Sequence, residues 1–427
     1  MRRAAPLLPL LGVFVAAMLL LPAREGWAGD EPEYLNLAAN ITNGFYREGT
    51  SDGPLDMCFP GWQTPDLWYG PGFPALLAPL VALDLPVSVI RLVGPLLLLA
   101  SVLLFHRLLL RSVPPRAALS GALGFGLFLP FLRYLPFLHS EFLALLLVVL
   151  AMLGTTAALR GGRPWTIVAA AATLAGLALT RVAFGWVLTA LFLIWLVAWL
   201  VGRTDRSRRL ALIHGLALAM CVPWLAYTQS VTDRPLLWGT SGSLSLYWMS
   251  SPYVADTGDW HCATDVFSED WLAPHRPFFL ANADLSPVAQ NRALERRALE
   301  NIRAHPVRYA GNLAANASRM VFNVPYSNRG LETHSLAFVV PGLILVGFLA
   351  LALLRLGRTR DTLVPEAVPF ALFAAVAFAV HLPISAYTRM LIPIVPLLVW
   401  LIAYGLGRSP ATGGETPTRT ASPRGGS

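Results

Sequence analysis

Apolar runs of roughly twenty residues recur along the 427-residue chain, and they restrict it to one kind of fold. A segment that crosses a bilayer must satisfy its own backbone N–H and C=O groups, which a helix does. Ten such runs are expected as spans: 7–21, 87–109, 117–132, 141–159, 165–179, 184–201, 210–227, 335–354, 364–381 and 390–406. Only 13% of the residues are charged, against about 25% in a soluble domain. The chain reads as an all-α polytopic membrane protein, a single bundle of about ten transmembrane helices.

The arginines set the orientation. The formal charge is +8 and there is no lysine. A nucleic-acid binder would gather this charge on one face. Here it falls in short connections between spans: Arg107, Arg111 and Arg116; Arg160 and Arg163; Arg203, Arg206, Arg208 and Arg209; Arg355, Arg358 and Arg360. That is the positive-inside pattern, and no nucleic-acid partner is expected. Both termini are then inside. Residues 1–228 form a membrane bundle of about seven spans with a first outer loop at 23–73. Residues 229–333 form one long extracytoplasmic loop, and 334–407 carry the last three spans. The Gly/Thr/Ser/Pro-rich stretch 408–427 reads as a disordered cytoplasmic tail. Met1-Arg2-Arg3 ahead of Leu7–Leu21, with Gly26-Trp27-Ala28 beyond, also fits a cleaved secretory signal. A retained span is preferred because the later spans then alternate.

The two outer loops have internal patterning. Pro32 to Ile41 reads as a short amphipathic helix with Leu37 and Ile41 on one face, suited to the membrane interface. Trp62, Trp68 and Tyr69 fit an interfacial aromatic belt, or a stacking surface for a sugar. Ser286-Pro287 starts a helix expected to reach Ala304, and His305-Pro306 starts another. Of three cysteines, Cys221 lies in an apolar run. Cys58 and Cys262 fall in the outer loops, where a disulfide between them is permitted but not dictated.

The chemistry-bearing residues are few. Gly29-Asp30-Glu31-Pro32-Glu33-Tyr34 puts three carboxylates in four residues just beyond the first apolar run. Carboxylates at a membrane surface are costly to desolvate. Asp30 and Glu31 are read as general-base candidates, against the bland alternative of a solvating acidic cluster. Glu141 follows Leu138-His139-Ser140 and opens a span. Its bland reading is a helix start, with Ser140 as cap and Glu141 favoured by the dipole. Its functional reading is a second carboxylate on the same outer cavity that, with His139, holds an acceptor hydroxyl or a divalent metal such as Mg or Mn. Arg389, at the outer end of the last span, either snorkels to headgroups or binds a phosphate. Arg181 poses the same question. No nucleotide loop, zinc-protease helix or nucleophile elbow is present. An outer active site would therefore draw activated substrate from the membrane.

Several of these pieces, in this order, resemble the GT-C glycosyltransferases. The nearest branch is the group of dolichyl-phosphate-mannose protein mannosyltransferases and aminoarabinose transferases. They are one apolar span, then Gly29-Asp30-Glu31 and a Tyr/Asn/Leu-rich juxtamembrane helix, then Gly70-Pro71-Gly72-Phe73-Pro74 leading into the next helix. Ser140-Glu141 resembles the group's second acidic site. Gly176-Leu177-Ala178-Leu179-Thr180-Arg181 resembles its Gly/Leu-rich helix that ends in a basic residue. Thr240-Ser241-Gly242-Ser243 with Leu246 resembles an outer-loop segment near substrate, and Tyr387 to Pro396 resembles a late Arg/Tyr-Pro signature. The group often has Asn-Gly at Ser241-Gly242, and Gly or Pro soon after the helix-end basic residue, where Val182 stands here. No large soluble domain follows the last span.

The resemblance implies a GT-C-like bundle and an inverting sugar transfer from a polyprenyl-phosphate donor to a hydroxyl of a lipid, glycan or protein outside the cytoplasm. Asp30, with Glu31, would be catalytic. Arg389, Arg181 and Tyr387 would bind the donor phosphate, Glu141 and His139 the acceptor or a metal, and Trp68 and Tyr69 the sugar. No cofactor is required by this scheme, and a divalent metal is optional. The Arg-only, Ala/Leu-rich composition suggests a bacterium, hence an inner-membrane enzyme with its site on the periplasmic face. Rival readings are a polysaccharide polymerase or ligase relying on outer-loop arginines, a secondary transporter, and a scaffolding membrane protein. Transporters bury ionisable groups at mid-membrane, whereas these sit at the outer edge.

Overall fold

The computed structural model describes residues 2–21, 29–46, 67–358 and 363–407. The Gly26-Trp27-Ala28 stretch, Cys58, Trp62 and the tail from 408 lie outside them. Among the described residues the chain is helical throughout, with no strand and a single isolated bridge between Tyr326 and Arg329.

Six helices are long and apolar enough to cross a membrane: Val87–Leu109, Pro115–Tyr134, Ser140–Leu159, Ala183–Gly202, Thr333–Arg358 and Thr388–Gly407. The protein is a multi-pass membrane protein. A seventh candidate is a bent pair, Asp205–Met220 and Val222–Thr232, with a 46° angle between its halves. Pro223 at the start of the second half removes a backbone donor and accounts for the break. The other three expected spans are shorter apolar helices, Ala5–Leu20, Pro164–Thr180 and Ala367–His381.

Six helices position the site. They are α1 (Glu31–Thr42), α2 (Gly72–Ala82), α3 (Ser140–Leu159), α4 (Pro164–Thr180), α5 (Pro306–Phe322) and α6 (Val395–Gly407). α3 and α4 pack as an antiparallel pair joined by a short turn at 160–163. The juxtamembrane helix expected over 32–41 is α1, and Leu37 is buried as its pattern requires. It rests on protein as well as facing outward. Tyr34 and Ala38 pack with Phe73, Leu77, Ala78, Ile90 and Leu138 in one apolar cluster.

The lead-in to α2 runs against the end of α4 so closely that side chains do not fit. A Cβ on Gly70 would lie 2.1 Å from the Leu179 carbonyl oxygen, and one on Gly72 would lie 2.5 Å from Thr180 Oγ1. Glycine is needed there for backbone approach.

The opposite end of the bundle has its own ion pair. Arg160 Nη2 lies 2.5 Å from Glu366 Oε1, whose side chain is fully buried, and Ser112 Oγ donates to the same carboxylate at 3.2 Å. Three connections are tied together at the end where the arginines gather.

The long segment after 233 folds onto an apolar cluster of its own, built from Leu244, Tyr247, Trp248, Val266, Leu272, Phe279 and Leu294. Its helix Pro287–Ala304 has the expected boundaries, with Ser286 Oγ accepting from the Ala289 N–H. Cys262 in this segment is disulfide-bonded, and Cys221 is free and buried.

Candidate functional site

Four charged side chains converge from helix ends that lie far apart in sequence. Asp30 precedes α1, Glu141 is in the first turn of α3, Arg181 follows α4, and Arg389 stands just ahead of α6. Arg389 Nη2 pairs with Asp30 Oδ2, and Arg389 Nε donates to Glu141 Oε1 at 2.5 Å. Arg181 Nη1 reaches the same Glu141 oxygen at 2.5 Å. Tyr69 donates from its hydroxyl to Asp30 Oδ1 at 3.1 Å. Charge-assisted contacts this short, in a site this enclosed, fix geometry strongly.

Side-chain capping does not explain these carboxylates, although Glu141 keeps the first-turn position that the helix dipole favours. Asp30 sits at the N-cap of α1 and Glu141 in the first turn of α3, yet neither helix start has a side-chain capping bond. Ser140, expected as a cap, is already helical, and its hydroxyl lies 2.9 Å from that of Tyr34. Glu141 is fully buried, and its Oε2 has no hydrogen-bond partner. Arg181 Nε is also buried without one. Buried polar atoms left over on both an anion and a cation are what a site awaiting a polar ligand presents.

Electrostatics separates the acids. Burial would raise the Asp30 carboxyl, but the Arg389 guanidinium holds it below its ordinary value. Glu33, one turn further, has both oxygens buried without partners, and burial with the nearby Asp30 charge pushes it up to about 7. His139 is lowered to about 4 by burial and by Arg389, so its imidazole is neutral near pH 7. The Tyr34 hydroxyl is raised by burial and by Asp30.

The expected site residues do not all stand together. Asp30, Glu141, Arg181, Arg389 and Tyr69 form one hydrogen-bonded group, and His139 lies beside it. Glu31, paired with Asp30 in the sequence reading, turns away. Arg91 donates to both its oxygens at 2.9 and 2.8 Å, and the Leu138 N–H donates at 2.8 Å. A carboxylate bound in this way anchors α1 to the segment before α3 and is not placed to take a proton from a substrate. Tyr387 also departs from its expected role as a phosphate ligand. Its hydroxyl accepts from the Trp260 N–H at 3.0 Å and donates to the Trp260 carbonyl at 3.2 Å, and its ring stacks on Tyr326. Trp68 packs on the outer-segment apolar cluster.

A divalent cation does not suit Glu141. Its bonded oxygen already accepts from two guanidiniums, and a metal there would meet their positive charge at contact distance. Among the described residues, no group of three metal-ligating side chains includes Glu141 or His139.

Three contributors were missed in the sequence: Arg91, Glu33 and Asn316. Buried Asn316 donates to the carbonyls of His381, Leu382 and Ile384 and accepts from the Ala386 N–H at 2.9 Å, shaping the segment that delivers Arg389. Glu33 was visible within the acidic stretch, but its isolation from partners depends on tertiary packing.

No protein-family profile matches the chain, and neither a curated protein nor a solved structure matches it.

Proposed function

We propose that the protein is an integral-membrane inverting glycosyltransferase of the GT-C type, moving a sugar from a polyprenyl-phosphate donor to a hydroxyl of an extracytoplasmic acceptor. The observation that carries this reading is the ionic group itself. An ionised carboxylate, Asp30, pairs with one guanidinium, Arg389, which shares a buried partner, Glu141, with a second, Arg181. Base and anion site are adjacent, as a displacement at a glycosyl phosphate needs.

In this scheme the acceptor O–H gives its proton to Asp30 as the oxygen bonds to the anomeric carbon from the face opposite the phosphate. The C–O bond to phosphate breaks, and its electron pair leaves with polyprenyl phosphate. Arg389 and Arg181 offset the charge that grows there. Phosphate arrival competes with Asp30 for Arg389, which makes the base stronger when the donor is in place. Glu141 orients both guanidiniums and, with neutral His139, faces the acceptor side. No step is routed through a metal, because the donor set around Glu141 is cationic.

We read the three shorter apolar helices and the bent pair as membrane-inserted, giving ten spans with both termini inside. The location is read as the bacterial inner membrane, with the site on the periplasmic face. The short connections rich in arginine cluster at the Arg160–Glu366 end, opposite the ionic group. Three of the outer-loop arginines on which the polymerase alternative relies are engaged within their own segment. Arg276, Arg308 and Arg319 donate to backbone carbonyls of their own segment.

The experiment is mass spectrometry of membrane lipids and glycans from cells with and without the gene, with rescue by wild type and by Asp30→Ala. Accumulation of one polyprenyl-phosphate sugar, reversed by wild type and not by the variant, is expected. Full rescue by the variant, or no change in any lipid-linked sugar, would remove the reading.

A further inference from the structure

A second polar cluster lies in the outer segment, apart from the ionic group and unused by the proposed chemistry. Asp256, Asp259 and His261 each offer one ligand atom, and these atoms lie within 4.8 Å of one another. Asp256 and Asp259 are almost fully buried.

An acidic cluster alone would mean little, but the unpartnered atoms around this one point to a ligand. Asp256 Oδ2 and His261 Nε2 have no hydrogen-bond partner. Nor has Nε2 of His275, a residue only 3% exposed, which lies 3.4 Å from Asp256 Oδ2. Nε2 of His261 lies 3.8 Å from Asp259 Oδ2. Two histidine nitrogens thus face two carboxylates within ion-pair reach, but neither pair has hydrogen-bond geometry.

Three of the four side chains are held from behind. Asp256 Oδ1 accepts from the Gly258 N–H at 2.9 Å and from Ser327 Oγ at 3.3 Å. Asp259 Oδ1 accepts from the Ser327 N–H at 3.0 Å, from its hydroxyl, and from Thr257 Oγ1 at 3.2 Å. The Tyr247 hydroxyl lies 2.8 Å from Nδ1 of His275 and holds that ring. In Asp256, Asp259 and His275 one atom is fixed by the protein and the other is presented forward. Metal-ligating carboxylates and imidazoles are oriented this way by their outer shells.

We propose that Asp256, Asp259, His261 and His275 form a divalent-metal site, best suited to Zn2+ in a mixed nitrogen and oxygen shell. Tetrahedral zinc with bonds of about 2.0–2.2 Å places ligand atoms roughly 3.4 Å apart, so the ligand atoms of Asp256, Asp259 and His261, now within 4.8 Å of one another, draw together on binding, and His275, 3.4 Å from Asp256 but outside that grouping, moves further to complete the shell. A simple Asp256–His275 ion pair would leave His261 Nε2 unexplained. The site is structural: four protein donors leave no open position for chemistry.

The metal would fix the segment that presents Arg389. Trp260, inside the cluster, holds the Tyr387 hydroxyl through its backbone, and the Gly258 carbonyl accepts from Ser385 Oγ at 2.7 Å. Both partners lie within four residues of Arg389.

The test uses the full chain in detergent, stripped with EDTA, desalted and titrated with ZnCl2. Bound zinc is counted by mass spectrometry, and its shell is read by X-ray absorption. One equivalent per chain with a nitrogen/oxygen shell and no sulfur is expected, together with a rise in melting temperature. Asp256→Asn and His261→Asn should lower bound zinc at least tenfold, while His305→Ala, at an exposed histidine outside the cluster, should not. No stoichiometric zinc in the wild type, sulfur in its shell, or equal binding by both cluster variants would overturn the proposal. The wild-type stoichiometry and spectrum decide the matter if a variant does not fold.

Discussion

Arg389 and Asp30 are 359 positions apart in sequence and form an ion pair at one end of the helix bundle. The pair closes the bundle, because one partner precedes α1 and the other precedes α6. It also decides the state of the acid. A partly buried carboxylate paired with a guanidinium stays ionised at neutral pH, as a general base must.

Asp30→Asn is expected to lower transfer by about 10²–10⁴-fold, the usual worth of a positioned base. Protein yield, detergent elution profile and melting temperature should stay near wild type, since asparagine still accepts from Tyr69 and Arg389. The measurement is turnover of a polyprenyl-phosphate sugar in reconstituted vesicles. Retained turnover within a factor of three would take the base role from Asp30.

Arg389→Gln separates two roles of the guanidinium. Asp30 has a lowered folded-state pKa, so the stability from its charge is present above the unfolded value and is lost as pH falls through the lower one. Without Arg389, burial loses its main opponent and the Asp30 pKa rises. The acid limb of the kcat/KM profile should therefore move to higher pH in the variant, alongside a raised KM for donor. A raised KM with an unmoved limb would leave Arg389 as a phosphate ligand alone.

Glu33 gives the opposite sign. Its folded pKa is raised to about 7, from an ordinary value of 4.5. The native protein then binds more protons than the unfolded chain between these two values. Stability falls as pH rises through that window and stays reduced above it. Glu33→Gln should stabilise the protein above pH 7 by a few kcal/mol, on the order of the shift, and do nothing below pH 4. Thermal unfolding at pH 4, 6 and 8 checks this, and a gain that does not grow with pH would contradict it.

Much of this architecture is legible in sequence because its signals are local. The i, i+4 pair Leu37 and Ile41 marks α1, and Ser286-Pro287 marks a helix start with the right boundaries. Asp30, Glu141, Arg181 and Arg389 stand out because a charge at the edge of an apolar run is expensive. What sequence cannot carry is which charge meets which. Glu31 and Asp30 are neighbours with the same chemistry, and only folding turns one to Arg91 and the other to Arg389. Tyr387 has a phosphate ligand's chemistry, but Trp260 lies 127 positions away and takes both ends of its hydroxyl. Span length misleads for a related reason. A helix such as Pro164–Thr180, held on several sides by other helices, has less need of a full apolar run.

Glu31→Gln should behave as a structural change, in contrast to Asp30→Asn. Gln keeps one acceptor for Arg91 or the Leu138 N–H but loses the charge that matches the guanidinium. Breaking a buried pair on one side costs about 3–5 kcal/mol; Arg91 is 21% exposed, so about 2 kcal/mol is expected here. The melting temperature should fall while kcat of the folded fraction changes less than threefold. A large loss of kcat at unchanged stability would return Glu31 to the chemistry.

Gly72→Ala tests whether the α2 lead-in positions Arg181. A methyl group there would meet Thr180 Oγ1 at 2.5 Å and the Thr180 backbone nitrogen at 2.9 Å. Backbone atoms cannot rotate away as a side chain can, so α2 or the end of α4 must shift. Arg181 is the next residue, and its contact with Glu141 Oε1 is 2.5 Å, so a displacement of a few tenths of an ångström weakens it. The variant should lose about 1–3 kcal/mol of stability, as overpacked sites do, and should raise KM for the donor. Gly124→Ala supplies the control, because a Cβ at Gly124 meets nothing within 4 Å and the position is also helical. Equal losses in the two variants would mean that the cost comes from helix propensity and solvation in general, not from the contact with Thr180. A loss confined to Gly72→Ala, with the donor KM raised and the acceptor KM unchanged, would place the α2 lead-in among the devices that hold the Arg181 side of the anion site.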